Sequence, residues 1–415
     1  MKLNEELFDV IVIGGGASGM MAAGTAASLG KKVLIIEKNK SLGEKLKITG
    51  GGRCNITNAE YDTRKLLKNY GDAEDFLYSA FSQFGIKDTF SFFESRGLPL
   101  VIQARNRAFP HTEKAIDVFN VLKKYVDQPG VQVKYGCAVK KIIHKNGIIT
   151  GVETNQGNFS AKSFILATGG MSHPETGSTG DGFNLLKNLG HTVKNPIPTI
   201  VPLAVEDEWV KMLAGVSLSF MKITLYLDGK KQFSKTGKVL FTHFGLSGPL
   251  ILNSSSKVAG LLESGHVRAI IDAFPDTDLG ALEKLIIKVF DANKNKILKT
   301  VLRDIVPRGT TKGIEALLSD INLMTKVHSV TKEERKKITH LLKALPITIS
   351  GLMGYDRAVV ADGGVSLKEV DTRTMRSKLC ENLYITGDLL NINRPSGGFS
   401  LQLCWTTGFI AGNNQ

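Results

Sequence analysis

The chain has 415 residues, with 53 Lys and Arg against 39 Asp and Glu, for a formal charge of +14. At about 100–200 residues per domain this predicts two or three domains, with cores large enough to stand without disulfide or metal staples. No run reaches about 18 apolar residues, which excludes a membrane-spanning helix. The positive balance favours anionic partners, but its charges are scattered and form no basic tail.

In chain order, Phe8-Asp-Val-Ile-Val-Ile-Gly14 is short, β-branched and apolar, as a buried parallel strand should be. It is too short for a membrane span and lacks the cleavage site of a signal peptide. An Ala- and Met-rich helical segment, Ser18–Leu29, and a second strand, Lys32–Glu37, complete a β-α-β unit. Residues 60–130 read as mostly helical. Val131–Val139 and Ile142–Thr154 alternate like strands of a small antiparallel sheet, and Phe159–Ala167 returns as a strand ending at Thr168-Gly169-Gly170. The prolines of Asn195–Pro202 read as a linker or an edge. Residues 200–273 carry β-like runs, with a hairpin turn expected at Asp228-Gly229, and 278–345 turn to helical periodicity. Beyond Pro346, Arg357–Ala361 and Asn382–Asp388 read as strands before a terminal helix at about 398–411. The expected design is an α/β, Rossmann-type domain from residues 1–190 and 346–415. Its insertion has a β-rich part, 191–277, and a helical part, 278–345.

Gly14-x-Gly16-x-x-Gly19 sits where a strand gives way to a helix. Gly14 allows the tight turn, Gly16 a close backbone approach to a pyrophosphate, and Gly19 close packing of the helix on the sheet. The helix N-terminus, with Ala17 and Ser18, then offers N–H groups to the anion. Such a glycine pattern alone is weak, but Glu37 ends the next strand eighteen residues after Gly19, where a carboxylate accepts hydrogen bonds from ribose hydroxyls. Lys38 follows it. The remaining segments decide between FAD and NAD. The stretch from Lys45 through Thr49, Gly51, Arg53, Cys54 and Asn55 is a Gly-rich loop suited to backbone contact with a flat ring. Val139, Ala167, Thr168 and Gly169 are placed along the same cofactor. Gly387-Asp388 ends a strand with a carboxylate suited to a ribitol hydroxyl. Gly398 and Phe399 open a helix whose N–H groups suit negative charge at the N1/O2 edge of a reduced flavin. NAD has no ribitol for the last two to engage, so FAD is the expected cofactor. A second complete glycine-rich unit is absent from the sequence, so NAD(P)H is expected to bind only transiently.

The stretches Gly43–Asn58, Leu166–Gly182, Phe241–Pro249, Gly363–Val370 and the Thr-Gly-Asp segment resemble the BaiN/RdsA (YhiN-type) family of NAD(P)/FAD-dependent oxidoreductases, also labelled aminoacetone oxidase-like flavoproteins. The resemblance implies FAD held on the two-dinucleotide-binding-motif flavoprotein fold, an inserted β-barrel and a helical subdomain. It also implies reduction of carbon–carbon double bonds on steroid-like substrates in some members. The chain departs from the family pattern in carrying Asp388 for a usual Glu, and Gly397-Gly398-Phe399-Ser400 for a usual Gly-Gly-Tyr-Asn.

His243, then His173, are the candidate proton donors when a hydride leaves flavin N5 for an activated alkene; the alternative for each is an ordinary structural histidine. Cys54 has no second cysteine nearby for disulfide chemistry, so packing is its expected role. Arg53 is a candidate for the pyrophosphate or an anionic flavin. Arg105, Arg107 and His111 form a basic loop that suits an anionic substrate or solvent alone, and Asp181 is expected to order a helix start beside the cofactor. Residues 191–345 carry 23 basic and 15 acidic residues, but the nearest to a basic run, Glu334-Arg335-Lys336-Lys337, reads as a solvated helix. Cys54, Cys137, Cys380 and Cys404 show neither C-x-x-C nor zinc spacing, which points to reduced thiols, no metal and the cytoplasm. The expected function is an FAD-dependent oxidoreductase that passes hydride from NAD(P)H to a small unsaturated or carbonyl substrate, an anionic one included. The alternatives are an RNA-modifying flavoprotein, which lacks a recognisable RNA motif here, an amine oxidase, and a flavin redox sensor without turnover. Oligomeric state is left open.

Overall fold

The computed structural model describes residues 7–415 and divides into two compact units, one running to Pro198 and resuming at Ala358, the other Thr199–Arg357. Among the described residues no helix is long and apolar enough to cross a membrane.

The first unit is built on a five-stranded parallel sheet in the order Leu383–Ile385, Ala161–Leu166, Phe8–Ile13, Val33–Ile36, Val131–Lys134. Phe8–Ile13 lies at its centre. Val10 to Ile13 are almost wholly buried, because a central parallel strand is covered on both faces and needs a continuous apolar run. The helix Ala17–Ser28 packs along the C-terminal helix Phe399–Asn413. Small residues set that approach: a Cβ on Gly408 would lie 3.1 Å from the Ser18 Cα. Both helices are buried nearly all round, which explains why neither shows a polar face.

One sequence expectation is corrected here, the place of Val131–Lys134, and two are made finer. Residues 60–130 are helical at Thr63–Leu67, Glu74–Gln83, Ile86–Glu94 and Ala115–Val126, but between these Leu100–Gln103 and Arg107–Pro110 pair with Thr57–Asn58 in an antiparallel sheet. The strands are only two to four residues long, too short for a periodicity to register. Val131–Lys134 joins the parallel sheet beside Val33–Ile36. Only Val139–Lys145, Ile148–Thr154 and Gly157–Phe159 form the small antiparallel sheet. The alternation of Val131 and Val133 is that of an edge strand with one exposed face. The Pro-rich segment is itself a strand, Val193–Thr199, paired with Val360–Val365 in a two-stranded sheet.

The second unit is a closed six-stranded barrel in the order Leu203–Val205, Gly245–Ser247, Lys230–Thr242, Ser217–Leu227, Val267–Asp272, Leu345–Leu352. The two longest strands meet at Asp228-Gly229, whose φ values of 47° and 79° are those of a tight hairpin turn. Helices Leu279–Ala292, Thr311–Leu317 and Lys332–Lys343 share the barrel's core through Ile286, Ile314 and Ile338. Thr331 and Glu334 cap the last helix reciprocally, which sets its start.

Candidate functional site

At the end of Phe8–Ile13 the chain turns through Gly14, Gly15 and Gly16 into the helix Ala17–Ser28. Gly14 N–H donates to Ile36 O at 2.8 Å and Ala167 N–H to Ile13 O at 2.8 Å, so the turn is held from both flanking strands. Gly15 N–H donates to Glu37 Oε2 at 2.7 Å and Asn39 N–H to Glu37 Oε1 at 2.8 Å. Glu37 is buried, and each oxygen keeps a lone pair beyond these bonds. A Cβ on Gly16 would meet no atom within 4 Å, so the space beside this turn is open. Ser18 Oγ accepts from Thr386 Oγ1 at 3.2 Å, which brings the turn against the Thr386-Gly387-Asp388 segment from the far end of the chain.

Lys38 ties the Glu37 strand end to the loop before the helix Asp181–Asn188, through Thr179 Oγ1 at 2.5 Å and Asp181 Oδ2 at 2.6 Å. The Asp181 carboxyl sits below the usual carboxylate range: burial pushes it up, and the bonds from Lys38 and Thr179 outweigh that. Cys137 N–H donates to Glu37 O at 2.9 Å, so Val139, two residues on, starts its strand beside the same wall. Thr168 follows the strand Ala161–Leu166, and its Oγ1 is buried without a hydrogen-bond partner; Gly169 turns the chain just beyond it.

The Gly-rich loop forms a short helix, Glu44–Ile48, and a turn, Thr49–Gly52, in which a Cβ on Gly51 would also meet nothing within 4 Å. Thr49 O receives the Cys54 N–H at 3.0 Å. Cys54 itself is buried, and that burial pushes its thiol up to about 12 despite a bond with Thr49. Asn55, with its amide nitrogen toward Thr57 O and Ala108 O, accepts from Gly398 N at 3.0 Å. Gly398 has φ 100° and lies so close to Thr57 and Asn58 that a Cβ there would stand 2.7 Å from the Asn58 nitrogen. Phe399 is buried, and its carbonyl accepts from Tyr70 Oη at 2.9 Å. The structure turns Arg53 onto Gln103 Oε1 at 2.7 Å and Glu113 Oε1 at 2.6 Å, over the Phe109 ring, leaving its Nε buried and without a partner. Of the basic loop, Arg105 is exposed and Arg107 half-buried, its charge disfavoured by burial and then by Arg105; His111 N–H donates to Pro99 O at 2.9 Å.

Asp388 is the centre of a charged cluster. Lys45 Nζ lies 3.5 Å from its Oδ2 and 3.0 Å from Ser172 Oγ, and the Arg394 guanidinium bonds its Oδ1. Burial alone would raise the Asp388 carboxyl. The Arg394 and Lys45 charges overcome it and hold the group below the usual carboxylate range. Arg394 also donates to Ser400 Oγ at 3.0 Å and Ile392 O at 2.7 Å.

These residues fit an extended FAD. The space beside Gly16 and Gly51, the unpartnered hydroxyl of Thr168, the spare lone pairs of Glu37 and the ionised Asp388 lie on elements that the hydrogen bonds above bring together within the first unit. His173, half-buried, also belongs to this unit and places its Nδ1 2.8 Å from Glu175 Oε1. His243 belongs to the second unit, exposed in the turn after Lys230–Thr242, with its ring against Phe244. The sequence reading missed Arg394, Ser172 and Gln402, which joins Thr57 and Thr89 through its Oε1 at 2.6 and 3.0 Å. A lone Arg within Leu-Leu-Asn-Ile-Asn-Arg-Pro was the available signal for the first; nothing marked the others.

The pattern described as HI0933-like protein Rossmann domain matches residues 8–414. A 3-dehydro-bile acid delta(4,6)-reductase of Clostridium scindens is 30% identical over 407 residues, 97% of either chain. A ribosomal RNA dihydrouridine synthase of Haemophilus influenzae is 28% identical over 405 residues, 96% of either chain. A 3-ketosteroid-delta4-(5alpha)-dehydrogenase of Rhodococcus jostii RHA1, solved with 4-androstene-3,17-dione, shares the fold with a TM-score of 0.51 at 14% identity, over 100% of this chain and 97% of that one.

Proposed function

The chain belongs to the HI0933-like Rossmann-domain family and is an FAD-dependent oxidoreductase; from that premise we propose that it reduces a carbon–carbon double bond conjugated to a carbonyl in a small substrate, with NAD(P)H as transient electron donor. The observation that carries the reading is the Glu37–Gly15 and Asp388–Lys45 geometry, two carboxylates fixed on one wall at the ends of parallel strands. Support for the substrate class comes from the relatives: a delta(4,6)-reductase and a dihydrouridine synthase both carry names that mean saturation of such a bond.

FAD, when bound, supplies two-electron hydride chemistry at its N5. The chain's residues do the rest. Gly16 and the helix beginning at Ala17 and Ser18 would hold the pyrophosphate, with Gly14 turning the chain and Gly19 packing the helix on the sheet, and Glu37 would hold the ribose, with Lys38 and Val139 beside it. Thr168 and Gly169 line the middle of the wall. Asp388 would take the ribitol, and the helix start at Gly398 and Phe399 would offer its N–H groups to the N1/O2 edge. Thr49, Gly51, Cys54 and Asn55 shape the loop against the ring. Arg53, already bonded to Glu113, stiffens that loop and keeps one donor inward. His243 and His173 are the two candidate donors of the proton that completes saturation of the double bond. Four free cysteines support a cytoplasmic setting.

The second reading, a uracil base in RNA as the substrate, is favoured by charge. Residues 199–357 carry 23 basic against 16 acidic residues, a surplus of seven in 159, whereas the other 256 share an equal surplus. That concentration suits a phosphate backbone. The test is anaerobic. The purified protein is titrated with NADH and NADPH while its flavin absorbance is followed, and the reduced enzyme is then offered a conjugated steroid enone or unmodified ribosomal RNA. Bleaching followed by reoxidation with the enone supports the first reading. Reoxidation by RNA alone moves the assignment to the second. Absence of bleaching with either nicotinamide removes the donor.

A further inference from the structure

Among the described residues, Arg394 is the sole arginine or lysine that is buried. Long cations go inside only with partners, and this one has three: Asp388, Ser400 and the Ile392 carbonyl. Two of them are functionally placed. Asp388 is the carboxylate read as the ribitol acceptor. Ser400 stands in the first turn of the helix Phe399–Asn413, whose start is read as facing the N1/O2 edge. Arg394 therefore braces the two groups that address the flavin, from behind both. Its own exposure is 3%, so it acts through them.

The charges of the cluster do not cancel. Arg394 and Lys45 are cations and Asp388 is the one anion bonded to both, while Glu175 acts on Lys45 without bonding it, so the bonded groups carry a net charge of +1 beside a helix N-terminus that is itself positive. We propose that Arg394 is a positioning residue that sets the reduction potential of the bound flavin: it orients Asp388, and its charge leaves the pocket with a positive surplus that favours the reduced cofactor. The inference rests on the cofactor reading above. Hydride from a dihydronicotinamide carries two electrons and a proton; the donor leaves as a pyridinium cation, and one unit of negative charge is added on the flavin side. A surplus positive charge lowers the free energy of that state relative to the oxidised, neutral one. Asp388 held ionised by both cations agrees with this account.

The charge argument orders four proteins. The wild type has +1, Arg394→Met 0, the double variant Asp388→Asn/Arg394→Met +1 again, and Arg394→Lys +1. Midpoint potentials of the FAD-loaded proteins, measured by equilibration with reference dyes, give the test. Arg394→Met is expected to lower the reduction equilibrium constant about tenfold, a midpoint about 30 mV more negative for a two-electron couple. The double variant is expected to return to within about threefold of wild type, and Arg394→Lys to keep the potential while binding FAD more weakly, because an ammonium lacks the planar fork. A structural brace alone would leave the double variant at least as perturbed as Arg394→Met, and that result, or an unchanged potential in Arg394→Met, overturns the proposal. If Arg394→Met fails to fold, the double variant, which removes both members of the buried pair, and Arg394→Lys carry the same comparison. A wild type that takes up no FAD would instead sink the cofactor reading.

Discussion

The backbone amide of Gly15 donates to the buried carboxylate of Glu37 at 2.7 Å, joining the turn after one parallel strand to the end of the next. The glycine turn and the acidic residue are thus one rigid unit, and the carboxylate is oriented before any ligand arrives. Glu37→Gln keeps the shape and loses the charge. Hydrogen bonds to charged groups are worth about 1.5–3 kcal/mol, so FAD is expected to bind about 10- to 100-fold more weakly, read from flavin fluorescence as the apoprotein is titrated. An unchanged affinity removes Glu37 from the site.

Gly16 separates cofactor space from fold. Its φ of −78° suits alanine, and its Cβ would touch no protein atom within 4 Å. Gly16→Ala is therefore expected to leave the melting of the apoprotein within about 0.5 kcal/mol of wild type. In the proposed reading the same methyl stands where a pyrophosphate approaches the backbone. The variant is expected to lose the extra thermal stability that added FAD gives the wild type. Equal stabilisation by FAD in both proteins would mean that the pyrophosphate lies elsewhere.

Cys54 sits in the Gly-rich loop assigned to the flavin in the proposed reading and yet is expected to be chemically silent. It is fully buried, and its thiol is pushed up to about 12 by that burial. The thiolate is the reactive form, so the native protein should not label at Cys54 with a thiol reagent at neutral pH, and Cys54→Ser should keep flavin turnover within a few-fold. Rapid labelling at Cys54, or loss of turnover in Cys54→Ser, would restore a redox role.

Much of this arrangement was legible in the sequence because it is local. Strand, glycine turn, helix and acidic strand end occupy residues 8–37, and their order points to a nucleotide site. A β-rich part was legible in β-like runs and one turn at Asp228-Gly229; its barrel form was implied by the family resemblance, and the last barrel strand, Leu345–Leu352, lies outside the stretch that the sequence assigns to it. The short strands Leu100–Gln103 and Arg107–Pro110 did not, since four residues beside a turn carry no period. Contacts across the whole chain were equally silent. Thr57 reaches Gln402 over 345 positions and Lys45 reaches Asp388 over 343. The departures at 388 and 400 were visible as letters, but their common partner, the Arg394 guanidinium, was visible only in three dimensions.

A second network, centred on the buried His191, is expected to contribute to acid stability. His191 Nδ1 lies 3.0 Å from Glu369 Oε2, and its Nε2 lies 3.0 Å from Ser377 Oγ, which also accepts the amides of Leu379 and Cys380. With His191 4% and Ser377 2% exposed, the pair lies inside the fold and the half-buried Glu369 clasps it. Burial pushes His191 below the ordinary histidine range, more than Glu369 raises it. The unfolded chain therefore takes up this proton near pH ~6.5, before the folded one does, and stability falls as pH drops below that value. Glu369 acts in the same direction at lower pH: burial raises it, but bonds from Thr192 and His191 hold it below the carboxylate range, so its contribution is present above about 4.3 and lost below. Melting temperature is expected to be highest above pH ~7 and to decline toward pH ~5. His191→Gln should flatten that decline; an equally steep decline in the variant would assign it to other groups.

His243 is expected to matter in only one half of the reaction. Its ring is exposed in the turn beside Phe244, whereas His173 is engaged by Glu175. In the proposed reading His243 is the donor that completes saturation of the double bond. General acids of this kind contribute about 10²- to 10⁴-fold. His243→Asn should therefore slow reoxidation of the reduced enzyme by substrate by about that factor, while reduction by NAD(P)H, which needs no proton from it, proceeds at the wild-type rate. Stopped-flow absorbance separates the two steps. If His173→Asn and not His243→Asn slows reoxidation, the donor role passes to His173; if both steps slow together in His243→Asn, the residue supports structure and donates nothing.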